Sequence, residues 1–342
     1  MKIIVDAHGG DYSPSEVIKG AALAFAKEKG FSLILSGSKE RIEKECTAAG
    51  CDFSRIEILD APEIISNDDQ PTEAVRKKKN SSIVAGLKRL SEDTDAAAFV
   101  SAGSTGAVLT AAALLVRRIP GILRPALAPV LPTVKGTHVV LIDCGANPEC
   151  KPVYLQQFAC MGAAYAKAIT GIREPKVGLL SNGTEEKKGN DLNKEAFPLL
   201  KQEPSVVFMG NMEAREILSG NYDVVVADGF SGNIALKACE GTALSMFFLI
   251  KEGIMKGGLR AKLGYLLLKP VFKEVKDAMD YNNKGGAVFL GLSKIVIKAH
   301  GSSKAKSIAA AILQAKDLAE KGIIDEIQRR LPAKEQLPGE PQ

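Results

Sequence analysis

The chain has 342 residues, of which 46% are hydrophobic and 25% are charged, and its formal net charge is +5. These are ordinary values for a soluble globular protein that can bury a sizeable core. A charge this mild gives no reason to expect a nucleic-acid partner, and the sequence has no RNP, zinc-finger or arginine-rich segment. Six cysteines without a CxxC pair favour reduced thiols over a disulfide framework or a metal site.

Short β-rich runs alternate with helical patterns along most of the chain. The predicted strands are residues 2–6, 32–36, 55–59, 96–100, 138–143, 176–180, 206–209 and 223–226. Helices are predicted from Ser13 to Gly30, from Ser38 to Gly50, and over residues 81–90, 105–117, 152–169 and 190–201. This alternation predicts an α/β fold with a mostly parallel sheet covered by helices on both faces.

The first predicted helix has the sequence of a capping box. Ser13 would cap it, Pro14 would take the first helical position, and Glu16 would complete the box.

The alternation ends in the C-terminal third of the chain. Residues 233–255 have a helical pattern, and residues 263–272 are apolar but interrupted by Gly264 and Pro270. We expect one α/β domain over residues 1–331, with a protruding helical insertion over about residues 233–285, and a frayed tail over residues 332–342. No apolar run reaches the ~20 residues needed to span a bilayer, and no signal peptide precedes the first strand, so we expect a cytoplasmic protein.

The apolar segment 263–272 has two interpretations. It is either an interface or core segment, or a part of the chain that touches a bilayer surface. In the second case Leu263, Leu266, Leu267 and Leu268 would contact the membrane, with Lys256, Lys262, Lys269 and Lys273 near anionic head groups.

Five predicted strand ends combine glycine with small polar or acidic side chains. They are residues 6–11, 101–107, 143–147, 181–190 and 228–233. Parallel strands bring their carboxyl ends to one side of a sheet, so these loops predict a single crevice there. Loop 181–190 resembles an anion site because glycines let backbone N–H groups approach and Lys188 adds a positive charge, but it also suits an ordinary polar connection.

The residue types in these loops limit the chemistry. None matches a Walker A motif or a dinucleotide fingerprint, and we expect neither a cofactor nor a metal. No GxSxG elbow occurs, and the histidines lack an obvious Ser or Cys partner. His138 starts a strand and has a structural interpretation, whereas His300 follows a strand and is the better crevice residue. Backbone amides, Ser, Asn, Lys and one His suit binding of phosphate and a polarised carbonyl better than a covalent acyl-enzyme.

In this order the loops resemble those of the PlsX-type phosphate acyltransferases of bacterial phospholipid synthesis. The resemblance covers residues 1 to about 331 and rests on residues 6–11, 71–82, 101–107, 143–147, 179–190, 211–213 and 228–237. It implies a three-layer α/β/α fold similar to isopropylmalate dehydrogenase and phosphotransacetylase, assembled as a homodimer. It further implies transfer of a fatty acyl group from acyl carrier protein to inorganic phosphate. A membrane-bound glycerol-3-phosphate acyltransferase would consume the acyl phosphate, which implies peripheral association with the inner face of the membrane.

Two positions depart from the family pattern. His8 stands where the first motif usually has Met, and Ser104 stands where Asn is usual. Serine has a shorter reach than asparagine and one polar group fewer. His8 could add a titrating charge to the crevice or fill the volume of the methionine.

The resemblance and the residue chemistry together name the site. We expect Lys188 and Asn182 to contact phosphate or the oxyanion, with His300 as an acid or an orienting group. The expected phosphate- and substrate-binding residues are Asp6, Gly9, Gly10, Gly103, Ser104, Gly106, Asp143, Asn147, Gly183, Asp228 and Asn233. The basic run Arg76, Lys77, Lys78 and Lys79 would dock the acidic carrier protein, or else forms a solvated helix face.

Three rival functions stay open at this point. One is a phosphotransacetylase-like enzyme that uses acyl-CoA. Another is a metal- and NAD-dependent decarboxylating dehydrogenase, although the sequence lacks the clustered aspartates and arginines that it would need. The third is a non-catalytic scaffold that binds carrier protein at the membrane.

Overall fold

Twelve strands and eleven α-helices occupy the part of the chain that the computed structural model describes, residues 1–50, 53–279 and 285–331. The strands are β1 (Lys2–Asp6), β2 (Ser32–Gly37), β3 (Ile56–Asp60), β4 (Ala96–Ser101), β5 (Ala126–Ala128), β6 (Val130–Pro132), β7 (His138–Ile142), β8 (Lys176–Ser181), β9 (Val207–Glu213), β10 (Val224–Val226), β11 (Ala287–Leu290) and β12 (Ile295–Lys298). The helices are α1 (Ser15–Lys27), α2 (Lys39–Ala49), α3 (Pro71–Lys77), α4 (Ser82–Glu92), α5 (Thr105–Leu115), α6 (Pro152–Thr170), α7 (Asp191–Gln202), α8 (Gly229–Lys256), α9 (Gly258–Met279), α10 (Ala305–Glu320) and α11 (Ile323–Arg330).

The strands form two sheets, where the sequence predicted one. The first has the order β3-β2-β1-β4-β12-β11-β5 and the second the order β6-β7-β10-β8-β9. Pairing is parallel except at β12–β11–β5 and at β6–β7, so the predicted, mostly parallel α/β fold is confirmed. Residues 126–132 connect the two sheets, because Leu127 and Pro129 accept hydrogen bonds from the backbone N–H groups of Cys144 and Leu141, at 3.0 and 3.1 Å.

Helices cover both faces of the first sheet. Ile3 and Val5 of β1 pack in one apolar cluster with α1 and α10, and Ile4 points into a second cluster with α4 and α5. Strands buried on both faces become continuous apolar runs, which is why this sheet could be predicted from its sequence.

The first helix does not begin as predicted. It starts at Ser15, and no side chain caps it. The hydroxyl of Ser13 donates instead to the carbonyls of His8 and Gly10, at 2.8 and 3.0 Å. Glu16 accepts a hydrogen bond from the backbone of Ala305 at 2.9 Å. The predicted capping box is therefore wrong, because tertiary contacts use both of its side chains.

A pair of long helices, α8 and α9, forms the predicted helical insertion. Residues 263–272 lie within α9, which includes Gly264 and Pro270. Large apolar side chains on both helices are exposed; Leu267, for example, is 81% exposed. By length and composition, helix α8 could cross a membrane, but one such helix is weak evidence for a spanning segment. The expectation of no spanning segment therefore holds only for uninterrupted apolar runs. Residues 280–284 of the insertion and the tail 332–342 lie outside the described residues.

Candidate active site

A cavity of about 320 Å³ lies between the two sheets, at the carboxyl ends of β4, β7, β10 and β12. Its polar lining residues are Thr105, Asn233, Lys237, Glu240, Lys298 and His300, and its apolar lining residues include Leu127, Pro129, Val130 and Leu236. The lining thus combines cationic groups with apolar side chains, which suits a small anion that meets an apolar substrate.

Three of the five predicted loops reach this cavity. Loop 101–107 contributes Thr105, loop 143–147 contributes Gly145, and loop 228–233 contributes Asn233. His300, which we expected in the crevice, lines the cavity as well. Loops 6–11 and 181–190 are not part of its lining.

Asp143 organises the loop after β7 from a fully buried position. Its carboxylate accepts hydrogen bonds from the backbone N–H groups of Leu127, Ala146 and Asn147 and from the side-chain amide of Asn147, at 2.7–3.1 Å. Burial raises the pKa of Asp143, and these hydrogen bonds oppose the shift. Asp143 and Asn147 therefore shape the loop beneath the cavity.

The first turn of α8 packs directly on that loop. Asp228 caps the helix by accepting hydrogen bonds from the N–H groups of Phe230 and Ser231, at 3.0 and 2.9 Å. A Cβ at Gly229 would stand 2.7 Å from the carbonyl oxygen of Asn147. Glycine is required there because only a bare backbone permits this approach, which brings Asn233, one turn later, to the cavity.

Asp6 joins the loops after β1 and β4. It is 1% exposed, accepts a hydrogen bond from the Ser101 hydroxyl at 2.6 Å, and accepts another from the His8 N–H at 3.1 Å. The Ser101 oxygen in turn accepts from the N–H of Gly103 at 2.9 Å. A Cβ at Gly9 would stand 2.5 Å from the Asp6 carboxylate, so these loops interlock below the cavity.

The loop after β1 also touches the loop that carries His300. Gly10, with φ of 95°, lies where a Cβ would be 2.9 Å from the carbonyl oxygen of Gly301. The N–H of Asp11 donates to the same oxygen at 2.9 Å. Loop 6–11 therefore supports the cavity from outside its lining.

His8 has a structural contact. Its side chain is 7% exposed, and its Nε2 accepts a hydrogen bond from the N–H of Ser38 at 3.1 Å, at the start of α2. Burial lowers the pKa of His8, opposed by the charge of Asp6, and this favours the neutral ring. The geometry fits a side chain that fills volume and holds α2.

Two expected binding residues lie at the start of α5. Ser104 is the N-cap residue of α5 but makes no side-chain cap bond. Gly106 packs against Pro71 of α3, where a Cβ would stand 2.7 Å from the proline ring. Helix α3, which carries the basic run, thus contacts the helix that starts at the cavity.

Loop 181–190 is held by its own hydrogen bonds. The Asn182 oxygen accepts from the N–H of Gly189 at 2.9 Å, and Asn190 caps α7 through the N–H of Asn193 at 2.9 Å. Gly183 is buried beneath the methylenes of Lys188. Asn182 and Lys188 are exposed, and Lys188 forms no ion pair with any described residue. It presents a free cation at the carboxyl end of β8.

The basic run does not present four equivalent charges. Lys78 is bound to Asp69 at 2.6 Å, and this contact lowers the pKa of Asp69. Lys77 pairs with Glu73 at 2.8 Å on the exposed side of α3. Arg76 and Lys79 are exposed, which leaves them as the freest cations for a docking partner.

His300 carries a neutral ring at the edge of the cavity. Its Nδ1 lies 2.8 Å from the Ser302 hydroxyl and 3.2 Å from the Ser302 N–H. Burial lowers the pKa of His300, and the charges of Lys237 and Lys298 lower it further. With Nδ1 as the acceptor of the backbone N–H, the proton resides on Nε2, which can donate to a ligand.

Lys298 and Lys237 are cavity residues that the sequence reasoning missed. Lys298 ends β12, a four-residue strand too short to show alternation, and Lys237 resembles an ordinary helix-surface lysine. The signal that could have found Lys298 is its place two residues before His300. Within the described ranges, no group of three or more His, Cys, Asp or Glu residues could hold a metal ion.

Comparison with known families gives a match over nearly the whole chain. A family model described as fatty acid synthesis protein matches residues 1–326. A phosphate acyltransferase of Clostridium novyi is 47% identical over 334 residues, which cover 98% of this chain and 99% of the relative. One of Streptococcus agalactiae is 45% identical over 326 residues, covering 95% of this chain and 97% of the relative.

Solved structures show the same fold at lower identity. A phosphotransacetylase from Streptococcus pyogenes matches with a TM-score of 0.60 and 21% identity, covering 93% of this chain and 94% of that one. A 4-hydroxythreonine-4-phosphate dehydrogenase from Klebsiella pneumoniae has a TM-score of 0.51 and 16% identity, covering 93% and 99%. The predicted likeness to the phosphotransacetylase and dehydrogenase folds is confirmed.

Proposed function

Since this chain belongs to the phosphate acyltransferase family and is an acyltransferase, we propose that it transfers a fatty acyl group from acyl carrier protein to inorganic phosphate. The observation that carries the proposal is the cavity between the sheets, whose lining combines Lys298, Lys237 and His300 with apolar side chains. An anion and the carbonyl end of a fatty acyl thioester can meet there.

The proposed reaction needs no protein nucleophile. A phosphate oxygen attacks the thioester carbonyl carbon, the carbon–sulfur bond breaks, and the proton of hydrogen phosphate ends on the carrier thiolate. The products are acyl phosphate and free carrier thiol. Phosphate near neutral pH is already anionic, so alignment of the two reactants supplies much of the rate. A donor to the developing oxyanion can contribute roughly 2.7–4 kcal/mol.

The proposed residue roles follow from the chemistry of the side chains. His300, which lines the cavity, has an acid or orienting role. Donation to phosphate or the oxyanion by Lys188 and Asn182 is a proposal from the sequence alone, because their loop is not part of the cavity lining. Backbone N–H groups of Gly106 and Gly183 serve as further donors, whereas the N–H of Gly103, also expected in this role, donates to Ser101. The residues that orient these groups are Asp6, Asp143, Asn147, Asp228 and Asn233.

Partners and location belong to the same proposal. The acidic carrier protein docks on the exposed cations Arg76 and Lys79, next to the α3–α5 contact. The protein assembles as a homodimer in the cytoplasm, and the exposed leucines of α9 bring it to the membrane surface. A membrane-bound glycerol-3-phosphate acyltransferase would then take the acyl phosphate.

The direct test is to incubate the protein with palmitoyl-loaded acyl carrier protein, with and without phosphate, and to follow free carrier thiol. We expect thiol release that depends on phosphate, with the acyl phosphate trapped by hydroxylamine. Carrier binding without release would favour a scaffold. Release from acetyl-CoA but not from the loaded carrier would favour a phosphotransacetylase-like enzyme.

A further inference from the structure

Lys298 lies at the carboxyl end of β12, between β4 and β11 in the first sheet. Its side chain is half-buried and lines the same cavity as His300 and as Asn233 and Lys237 of α8. It thus lies at the edge where three of the predicted loops meet.

The hydrogen bonds of Lys298 leave its charge without an anion. Its ammonium donates to the carbonyl oxygen of Ala102, at 3.5 Å, and to that of Ala299. An ammonium carries three donors, so one more can be given to a ligand. Among the described residues Lys298 forms no ion pair, whereas its cavity neighbour Lys237 is paired with Glu240 at 2.7 Å. A half-buried cation without an ion pair is costly; the charges of Asp6 and Asp11 offset part of that cost, and an anion bound in the cavity would offset more of it.

We propose that Lys298 is a catalytic residue that binds the inorganic phosphate in the cavity and holds it beside the thioester carbonyl. The identity of the anion rests on the proposed function, while the site itself rests on the cavity and its cation. Because Leu127, Val130 and Leu236 line the same cavity as this cation, a phosphate bound there can meet the carbonyl of an acyl chain that lies on these apolar side chains.

The protonation of Lys298 gives this site a pH signature. Burial lowers the pKa of Lys298 to about 8, the charges of Asp6 and Asp11 oppose that shift, and the charge of Lys237 adds to it. Glu240, His300 and Cys144 are the other titratable groups of the lining, and burial raises the pKa of the Cys144 thiol. The Lys298 ammonium is charged below this pKa of about 8 and loses its proton above it, so phosphate affinity should fall as the pH rises through about 8. Arginine stays charged throughout this range, so Lys298→Arg should abolish the fall.

The experiment is calorimetric titration of inorganic phosphate into the wild type, Lys298→Met, Lys298→Arg and the control Lys294→Met. Lys294 precedes the same strand at its other end and donates to the carbonyl oxygen of Ala96 at 2.8 Å, so the control removes the same side chain at the opposite edge of the sheet. We expect Lys298→Met to weaken phosphate binding by about tenfold or more, the loss of a charge-assisted hydrogen bond, and Lys294→Met to leave it unchanged.

The pH series separates binding from a structural role and does not need Lys298→Met to fold. The wild type should lose phosphate affinity between about pH 7 and about pH 10, and Lys298→Arg should keep it. The proposal would be overturned if the wild type and Lys298→Met bound phosphate with equal affinity, or if the wild type bound no phosphate. It would also be overturned if phosphate affinity had the same pH dependence in the wild type and in Lys298→Arg. If phosphate binds through Lys298 but no carrier thiol is released, the anion site stands and the proposed reaction fails.

Discussion

A Cβ on Gly232 would stand 1.9 Å from the backbone carbonyl oxygen of Asp143, so the first turn of α8 is in direct contact with the loop after β7. This contact fixes where Asn233 meets the cavity. It joins the long exposed helix to the second sheet at its most buried loop.

We therefore expect Gly232→Ala to lower the free energy of unfolding by about 1–3 kcal/mol, because an overpacked contact must move α8 away from Asp143. Thermal or urea unfolding measures this. The matched control is Gly241→Ala on the same helix, where a Cβ meets no atom within 4 Å. Gly241→Ala should raise the free energy of unfolding by about 0.5–1 kcal/mol. A Gly232→Ala protein as stable as the wild type would contradict the contact.

The buried ring of His8 predicts a pH dependence of stability. Because its pKa is lowered from its ordinary value of 6.5, the unfolded chain binds the proton more readily than the folded protein. The contribution of the neutral ring to the free energy of unfolding is fully present above that value and is lost as the pH falls below it. We expect His8→Met, which carries the usual family residue, to show a weaker loss of stability under mildly acidic conditions while keeping its activity. If urea unfolding showed the same fall in the free energy of unfolding with decreasing pH for both proteins, this role of His8 would be ruled out.

Lys188 tests the role of the loop after β8. Removal of its free cation should lower turnover or raise the phosphate KM, so Lys188→Ala should lose about tenfold or more in kcat/KM. The neighbouring Lys187, also exposed, provides the control Lys187→Ala, which should change little. Near-normal turnover and phosphate KM in Lys188→Ala would remove this residue from the mechanism.

The exposed cations of α3 and its end predict a dependence on the acyl donor. Reversing them in the double variant Arg76→Glu, Lys79→Glu should raise the KM for carrier-bound substrate and weaken its salt dependence, because the carrier is acidic. The KM for an acyl-CoA substrate should stay unchanged. Lys27→Glu, Lys29→Glu reverses another exposed pair as a control. Equal losses with both substrates would indicate misfolding or an active-site role instead.

The leucines of α9 predict membrane contact. Leu266 and Leu267 are 64% and 81% exposed, so Leu266→Glu, Leu267→Glu should reduce flotation with anionic liposomes. Unchanged flotation would exclude the membrane role for this face. Sedimentation of the same variant tests the alternative, since conversion of a dimer to monomers would assign these leucines to the interface between copies.

Sequence reasoning missed β5 and β6 for a physical reason, although it found β10, which also has three residues. Strand β7 is an apolar run that any window detects, whereas β5 and β6 have three residues each and lie on either side of Pro129. These short strands connect the two sheets, so the division into two sheets could not be predicted. Three of the five polar loops reach the cavity, and the roles of their residues stay predictions.

Individual side-chain contacts could not be predicted in the same way. Asp143 is both acidic and wholly buried, and only the fold reveals that it accepts hydrogen bonds from backbone N–H groups and from the side-chain amide of Asn147. Lys298 resembles any lysine at a strand end until β12 is placed in the first sheet, beside the cavity. Likewise, the capping box at Ser13 failed because Glu16 contacts Ala305, far away in the sequence.

The most direct measurement of the central claim uses fully ¹⁸O-labelled inorganic phosphate with palmitoyl-loaded acyl carrier protein, followed by mass spectrometry of the lipid product. Attack by phosphate on the thioester carbonyl predicts an acyl phosphate that retains every labelled oxygen, formed in step with free carrier thiol. Free fatty acid with no label, released at the same rate without phosphate, would contradict the proposal that this chain transfers acyl groups to phosphate.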